Sequence, residues 1–180
     1  NTWKSSDGGQ NWTIANHWYG ANGVQAIHAD KHILAYRDNG DLFEGNDGGI
    51  YLSTNNGSSF TDKSNGIVNS QMYKLGVSQT DESSVITGLQ DNGTKLANNN
   101  LWRDVKGGDG MECIIDYTDA NIQYGSYIEG QITRTLNSWN GSETDINLNI
   151  GDGTQSGAWV TPYIIDPIEH NTLYVGYRDV

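Results

Sequence analysis

Apolar residues along this chain come in short runs, and no stretch keeps them at i, i+3, i+4, i+7 through three helical turns. "YKLGVS", "SVITGLQ", "ECIIDY", "IQYGSY", "QITRTL", "YIIDP" and "TLYVGY" stand between clusters of Gly, Asn and Asp. Their length and their Val, Ile, Thr and Tyr content predict strands joined by tight turns. The expected fold class is all-β.

These runs repeat as groups. The glycine closing the second apolar run of each group falls at Gly45, Gly88, Gly125 and Gly176, spacings close to the roughly 40–50 residues of a four-stranded propeller blade. Each group reads as an apolar strand, a polar loop ("VSQTDESS", "DYTDAN", "DPIEHN"), a second strand and a hairpin. The expected architecture is a β-propeller of four-stranded antiparallel blades. Residues 1–14 form the end of one blade, 15–62, 63–106 and 107–146 three further blades, and 147–180 the start of another. The expectation is a partial ring belonging to a larger polypeptide. A four-bladed ring, closed by strands in 159–180 pairing with the hairpin at 1–14, is the alternative.

A second repeat sits inside the first. "SSDGGQNW", Ser5 to Trp12, returns as "STNNGSSF", Ser53 to Phe60. The pattern predicts a hairpin corner in which Asp7 accepts backbone N–H groups of the turn and Gly9 supplies a conformation other residues resist. Trp12 is expected to start the returning strand and bury its ring. Asn55, Gly57 and Phe60 would do the same work in the second copy, behind Ser53.

With "HADKHILAY", "GNDGGIYLSTNNG", "GLQDNG" and "GGDGMECIID" in that order, the chain resembles Asp-box (BNR) repeat propellers. The likeness is to secreted bacterial sortilin/Vps10-like and glycosyl hydrolase (xyloglucanase)-like propellers. The resemblance implies one of two functions. One is engagement of a polysaccharide, with hydrolysis by an Asp pair in D-x-G-G-like loops. The other is a non-enzymatic propeller that binds a protein or peptide ligand or serves in adhesion. A secreted or cell-surface location is the expectation.

Composition narrows the partners. The formal net charge is −12, and nucleic-acid binders need clustered Lys and Arg, so no nucleic-acid partner is expected. No apolar run approaches the roughly 20 residues of a membrane-spanning helix. The single Cys113 excludes an internal disulfide framework and reads as a small buried side chain. A sialidase site fits poorly, because it needs three converging arginines and this chain has only Arg37, Arg103, Arg134 and Arg178.

Asp47, Asp109 and, behind them, Asp91 are the candidate catalytic acids. Each sits in a glycine-rich loop, and glycoside hydrolysis needs two carboxylates across a cleft. Glu112 is a weaker fourth. Asp–Gly is also what tight turns are made of. Trp102 and Tyr127 are the aromatic candidates for stacking on a sugar ring. His28, Asp30 and His32 alternate in "HADKH" and would share one face of a strand. Two of them with a residue from another blade suit a divalent metal ion, the one cofactor the residues suggest, and a polar rung in which Asp30 holds an imidazole is the alternative. "DNGD" at 38–41 and "GDG" at 151–153 lack the full calcium-loop pattern and read as turns.

Overall fold

The computed structural model describes residues 1–67, 70–147 and 157–177. Among them there is no α-helix, and strands joined by turns account for the regular structure. The fold is all-β and built from propeller blades. It divides into two compact units, 1–69 and 70–180.

In the first unit, β1 (Thr2–Lys4), β2 (Thr13–His17) and β3 (Gln25–Ala26) form one sheet. A four-stranded meander follows from β4 (Lys31–Tyr36), β5 (Leu42–Asn46), β6 (Gly49–Ser53) and β7 (Thr61–Asp62). The periodicity did not anticipate β3, which runs parallel to β2 through Asn16 and His17. Gln25 explains its place: its amide both donates to the Phe60 carbonyl and accepts the Phe60 N–H, each at 2.8 Å. That tie joins the first sheet to the second around a core of Ile27, Leu42 and Phe60.

A buried charge makes the other tie. Glu44, on β5, is wholly buried. It pairs with Lys31 Nζ at 2.6 Å and accepts Thr2 Oγ1 at 2.6 Å and Asn16 Nδ2 at 2.9 Å from the neighbouring sheet. Burial alone would push this carboxyl's pKa up, but the hydrogen bonds from Lys31, Thr2 and Asn16 outweigh it and hold the pKa below the ordinary value.

The second unit continues the meander twice. β8 (Met72–Val77), β9 (Val85–Leu89), β10 (Gly93–Asn98) and β11 (Leu101–Lys106) form one antiparallel sheet. β12 (Cys113–Ile115), β13 (Gln123–Tyr127), β14 (Gln131–Thr135) and β15 (Glu143–Asp145) form the next, and β16 (Tyr163–Ile165) pairs with β17 (Leu173–Val175). Ile86, Leu96, Cys113 and Ile115 fill the space between the first two of these sheets, and Tyr124, Ile132 and Tyr163 the space beyond. Burial pushes the Cys113 thiol up to about 12, so it stays a neutral packing group. The blade spacing has a backbone cause at Gly88, where a Cβ would lie 2.1 Å from the Met111 carbonyl oxygen. Only a bare backbone lets successive sheets approach so closely.

Two kinds of turn recur. Between the first and second strands, Ser78 Oγ accepts the Asp81 N–H at 3.0 Å, Asp116 Oδ1 the Thr118 N–H at 2.7 Å, and Asp166 Oδ1 the Ile168 N–H at 2.8 Å. Thr80 Oγ1 accepts Ala120 N–H at 3.1 Å, and His170 Nδ1 lies 3.0 Å from Asp116 Oδ2, so each loop also touches the next.

The second kind is the corner, found between β1 and β2 and again between β6 and β7. Ser5 Oγ accepts the Gly9 N–H at 2.8 Å and donates to Asp7 Oδ1, which accepts the Asn11 N–H at 2.9 Å. Ser53 Oγ, Gly57, Asn55 Oδ1 and Ser59 repeat those contacts at 2.8, 3.0 and 2.9 Å. The Asn11 backbone and side chain, then Ser5, pull the Asp7 carboxyl down to about 2. Phe60 is buried, but Trp12 is not. Its ring is 58% exposed, because the indole N–H donates to the Gly9 carbonyl at 3.0 Å and lays the ring along the outside of the corner.

Glu44→Gln leaves Lys31 buried without a counter-charge and should cost about 3–5 kcal/mol of unfolding free energy by urea titration. A carboxyl depressed on folding stabilises above its ordinary value of 4.5, and that contribution is lost as pH falls through the lower folded value. The wild type should therefore lose stability on acidification below pH 4.5, and the variant should lose less.

Candidate functional site

A concavity in the second unit lies where the end of β11 meets β13, β14 and β15 of the next sheet. Its two lobes, about 300 and about 460 Å³, share Lys106, Tyr127 and Gln131. Gly107 and Gly108 close one side, and Glu143, Asp145 and Asn147 the other. Tyr127 is the last residue of β13, and its ring lies on the bare backbone of Gly108. A Cβ there would sit 2.7 Å from Tyr127 Cε2, and Gly108 has a φ of 73°, which side chains resist. Among the described residues the Tyr127 hydroxyl has no hydrogen-bond partner.

Lys106 forms the floor. Its Nζ donates to Thr133 Oγ1 at 2.8 Å, lies 3.8 Å from Glu143 Oε1 and sits 5.9 Å from the Trp139 ring centroid. Thr133 passes its own proton to Asp145 Oδ1 at 3.0 Å. The groove thus offers an aromatic ring, two amides, two carboxylates and an ammonium already engaged with the protein. Such a surface can exchange hydrogen bonds with hydroxyl groups and stack its ring on an apolar face.

The glycine-rich acid loops also serve the packing of one sheet on the next. In "LQDNG" and "GGDG" the glycines serve backbone packing: a Cβ at Gly93 would lie 2.2 Å from the Lys106 carbonyl oxygen, and one at Gly110 2.2 Å from that of Gly93. Gly93 N–H donates to Gly108 O at 2.8 Å and Gly110 N–H to Leu89 O at 2.9 Å. The structure brings Asp91 and Asp109 together inside this interlock, where Asp109 Oδ1 accepts the Asp91 N–H at 2.9 Å. Asp91 itself has a φ of 58°. Glu112 stands beside Lys74, 3.5 Å from its Nζ. Burial lifts its carboxyl above the ordinary range against that attraction.

In the first unit, Asp47 pairs with His32 through Oδ1 and Nε2. His28, Asp30 and His32 do not share a strand face as "HADKH" suggested. β4 begins at Lys31, and Asp30 has a φ of 50°, which ends the alternation. His28 packs on Gly48, where a Cβ would meet it at 2.5 Å. Asp30 and Asp47 do approach, with a carboxylate oxygen of each within 4.8 Å. Trp102 is an exposed residue of β11 and does not line the groove. "GDG" at 151–153 lies outside the described residues.

The sequence reading missed one corner. Thr135 Oγ1 donates to Asn137 Oδ1 at 2.8 Å and accepts the Trp139 N–H at 3.1 Å, repeating the Ser53–Asn55 contacts. The signal was "TLNSWNGS", with Thr-x-Asn in place of Ser-x-Asn. Trp139 occupies the position Gly9 and Gly57 hold, with a φ of 60°.

Comparison with known proteins adds little to this geometry. No protein-family model matches the chain, and no curated protein is similar to it. Among solved structures, an ancestral GH74 enzyme superposes with a TM-score of 0.48 at 16% identity over 97% of this chain and 24% of its own. YCF48 from Cyanidioschyzon merolae gives 0.42 at 10% identity over 97% of this chain and 57% of its own. The chain spans less than two thirds of either. No helix among the described residues is long and apolar enough to cross a membrane.

Gly108→Ala should force Tyr127 out of its place and cost about 1–2 kcal/mol for the left-handed backbone. NMR shifts of the Tyr127 ring protons, read beside urea unfolding, check both. Unchanged ring shifts would show that the aromatic wall does not depend on Gly108.

Proposed function

We propose that this chain is a carbohydrate-binding part of a β-propeller protein, with the Tyr127 groove as a glycan subsite. The observation that carries the reading is the Tyr127 ring, laid on Gly108 with its hydroxyl unengaged among the described residues, opposite Gln131 and the carboxylates of Glu143 and Asp145. A pyranose presents a C–H face to an aromatic ring and a rim of hydroxyls to amide and carboxylate acceptors. The groove supplies both. Asp109 follows Gly108 directly but is occupied with the Asp91 N–H, which favours binding over acid–base chemistry at this place. Such a role suits a secreted or cell-surface protein.

The test is calorimetric titration with a panel of oligosaccharides, comparing wild type with Tyr127→Ala. One or more glycans should bind, and removing the ring should weaken them about tenfold, the usual worth of one aromatic contact. Trp102→Ala should leave the affinity unchanged. Binding of peptides but of no glycan would replace this reading with the protein-ligand alternative. Equal glycan affinity in Tyr127→Ala would move the site elsewhere.

A further inference from the structure

We propose a second and separate ligand site in the first unit, a pocket for a small carboxylic acid that carries one aromatic or branched apolar group. The pocket lies between the two sheets of that unit and encloses about 220 Å³. Trp3, Ala15, Leu34, Tyr36, Leu42 and Phe60 make its apolar walls. Leu42 and Phe60 are buried core residues that fix its base, whereas Trp3, Leu34 and Tyr36 are 53%, 53% and 66% exposed and form its mouth. An apolar cavity of about 150 Å³ takes a benzene ring, so this volume takes one ring with a short arm.

The polar groups at the rim set the charge of that arm. Thr2 donates its proton to Glu44, and Ser5 donates to Asp7, so both hydroxyls are committed within the protein. Lys4 differs. Its Nζ donates to the Asn56 carbonyl at 2.9 Å, and no carboxylate pairs with it among the described residues. An ammonium has three donors, which leaves two for a ligand. No acidic side chain lines the pocket, and Glu44, behind Thr2, is neutralised by Lys31. On a chain of net charge −12, an apolar pocket whose one rim charge is a partly unsatisfied cation selects an apolar anion over its neutral analogue.

NMR titration of the full chain with 3-phenylpropionate and with 3-phenylpropionamide tests this. The acid should bind about tenfold more tightly than the amide, the worth of hydrogen bonds to a charged group. Lys4→Met should bring the acid down to the amide's affinity and leave the amide unchanged, while Lys4→Arg should keep the preference. Ala15→Leu should fill the pocket and abolish binding of both. Thermal melting of each variant shows that it is folded. Equal affinity of acid and amide in the wild type, no binding of either, a preference that survives Lys4→Met, or full binding by Ala15→Leu would each overturn the proposal.

Discussion

The structure depends on a corner closed by side chains rather than by the backbone alone. Where β1 turns into β2, β6 into β7 and β14 into β15, a hydroxyl and an Asx side-chain oxygen together accept N–H groups that the strands no longer pair. Ser5 with Asp7, Ser53 with Asn55 and Thr135 with Asn137 do this in three sheets. The arrangement tolerates a carboxylate or an amide because the acceptor oxygen is common to both. An unpaired backbone donor at these bends would oppose the turn, so the corners fix where each returning strand begins. β15 is such a strand, and the groove at Tyr127 is bounded by it.

Glycine carries the complementary constraint. Gly88, Gly93 and Gly110 let one blade's backbone meet the next without intervening side chains. Gly108, in the same interlock, holds the Tyr127 ring. The Tyr127 groove is therefore a by-product of how two blades seat against each other. In the first unit the buried Glu44 network takes the same role, joining sheets through a charge instead of through bare backbone.

Much of the fold was legible because its signals are local. Short alternating runs marked the strands, and the recurring glycine marked the second strand of each blade: Gly45, Gly88 and Gly125 all fall there, in β5, β9 and β13. The Thr135 corner was hidden because Thr replaced Ser and Trp139 took a conformation usually left to glycine. Parallel β3 could not be seen, since it rests on a Gln25 contact with Phe60, far along the chain. The site was less legible still. Tyr127 could be named as an aromatic candidate, but its setting combines Gly108, Lys106 and Glu143, which only packing brings together. The acids were ambiguous for a physical reason. Asp–Gly serves turns and blade packing as well as catalysis, and Asp109 spends its carboxylate on Asp91. Trp12 misled, because its indole N–H satisfied the corner from outside.

Amide hydrogen exchange tests the corner account most directly. Asn11, Ser59, Gly9, Gly57 and Trp139 donate their N–H groups to corner side chains, and Asn11 and Ser59 lie at the exposed surface. The account predicts that all five exchange as slowly as the flanking strand amides. Exchange of these five at the rate of an unstructured peptide, with the strands still protected, would contradict it.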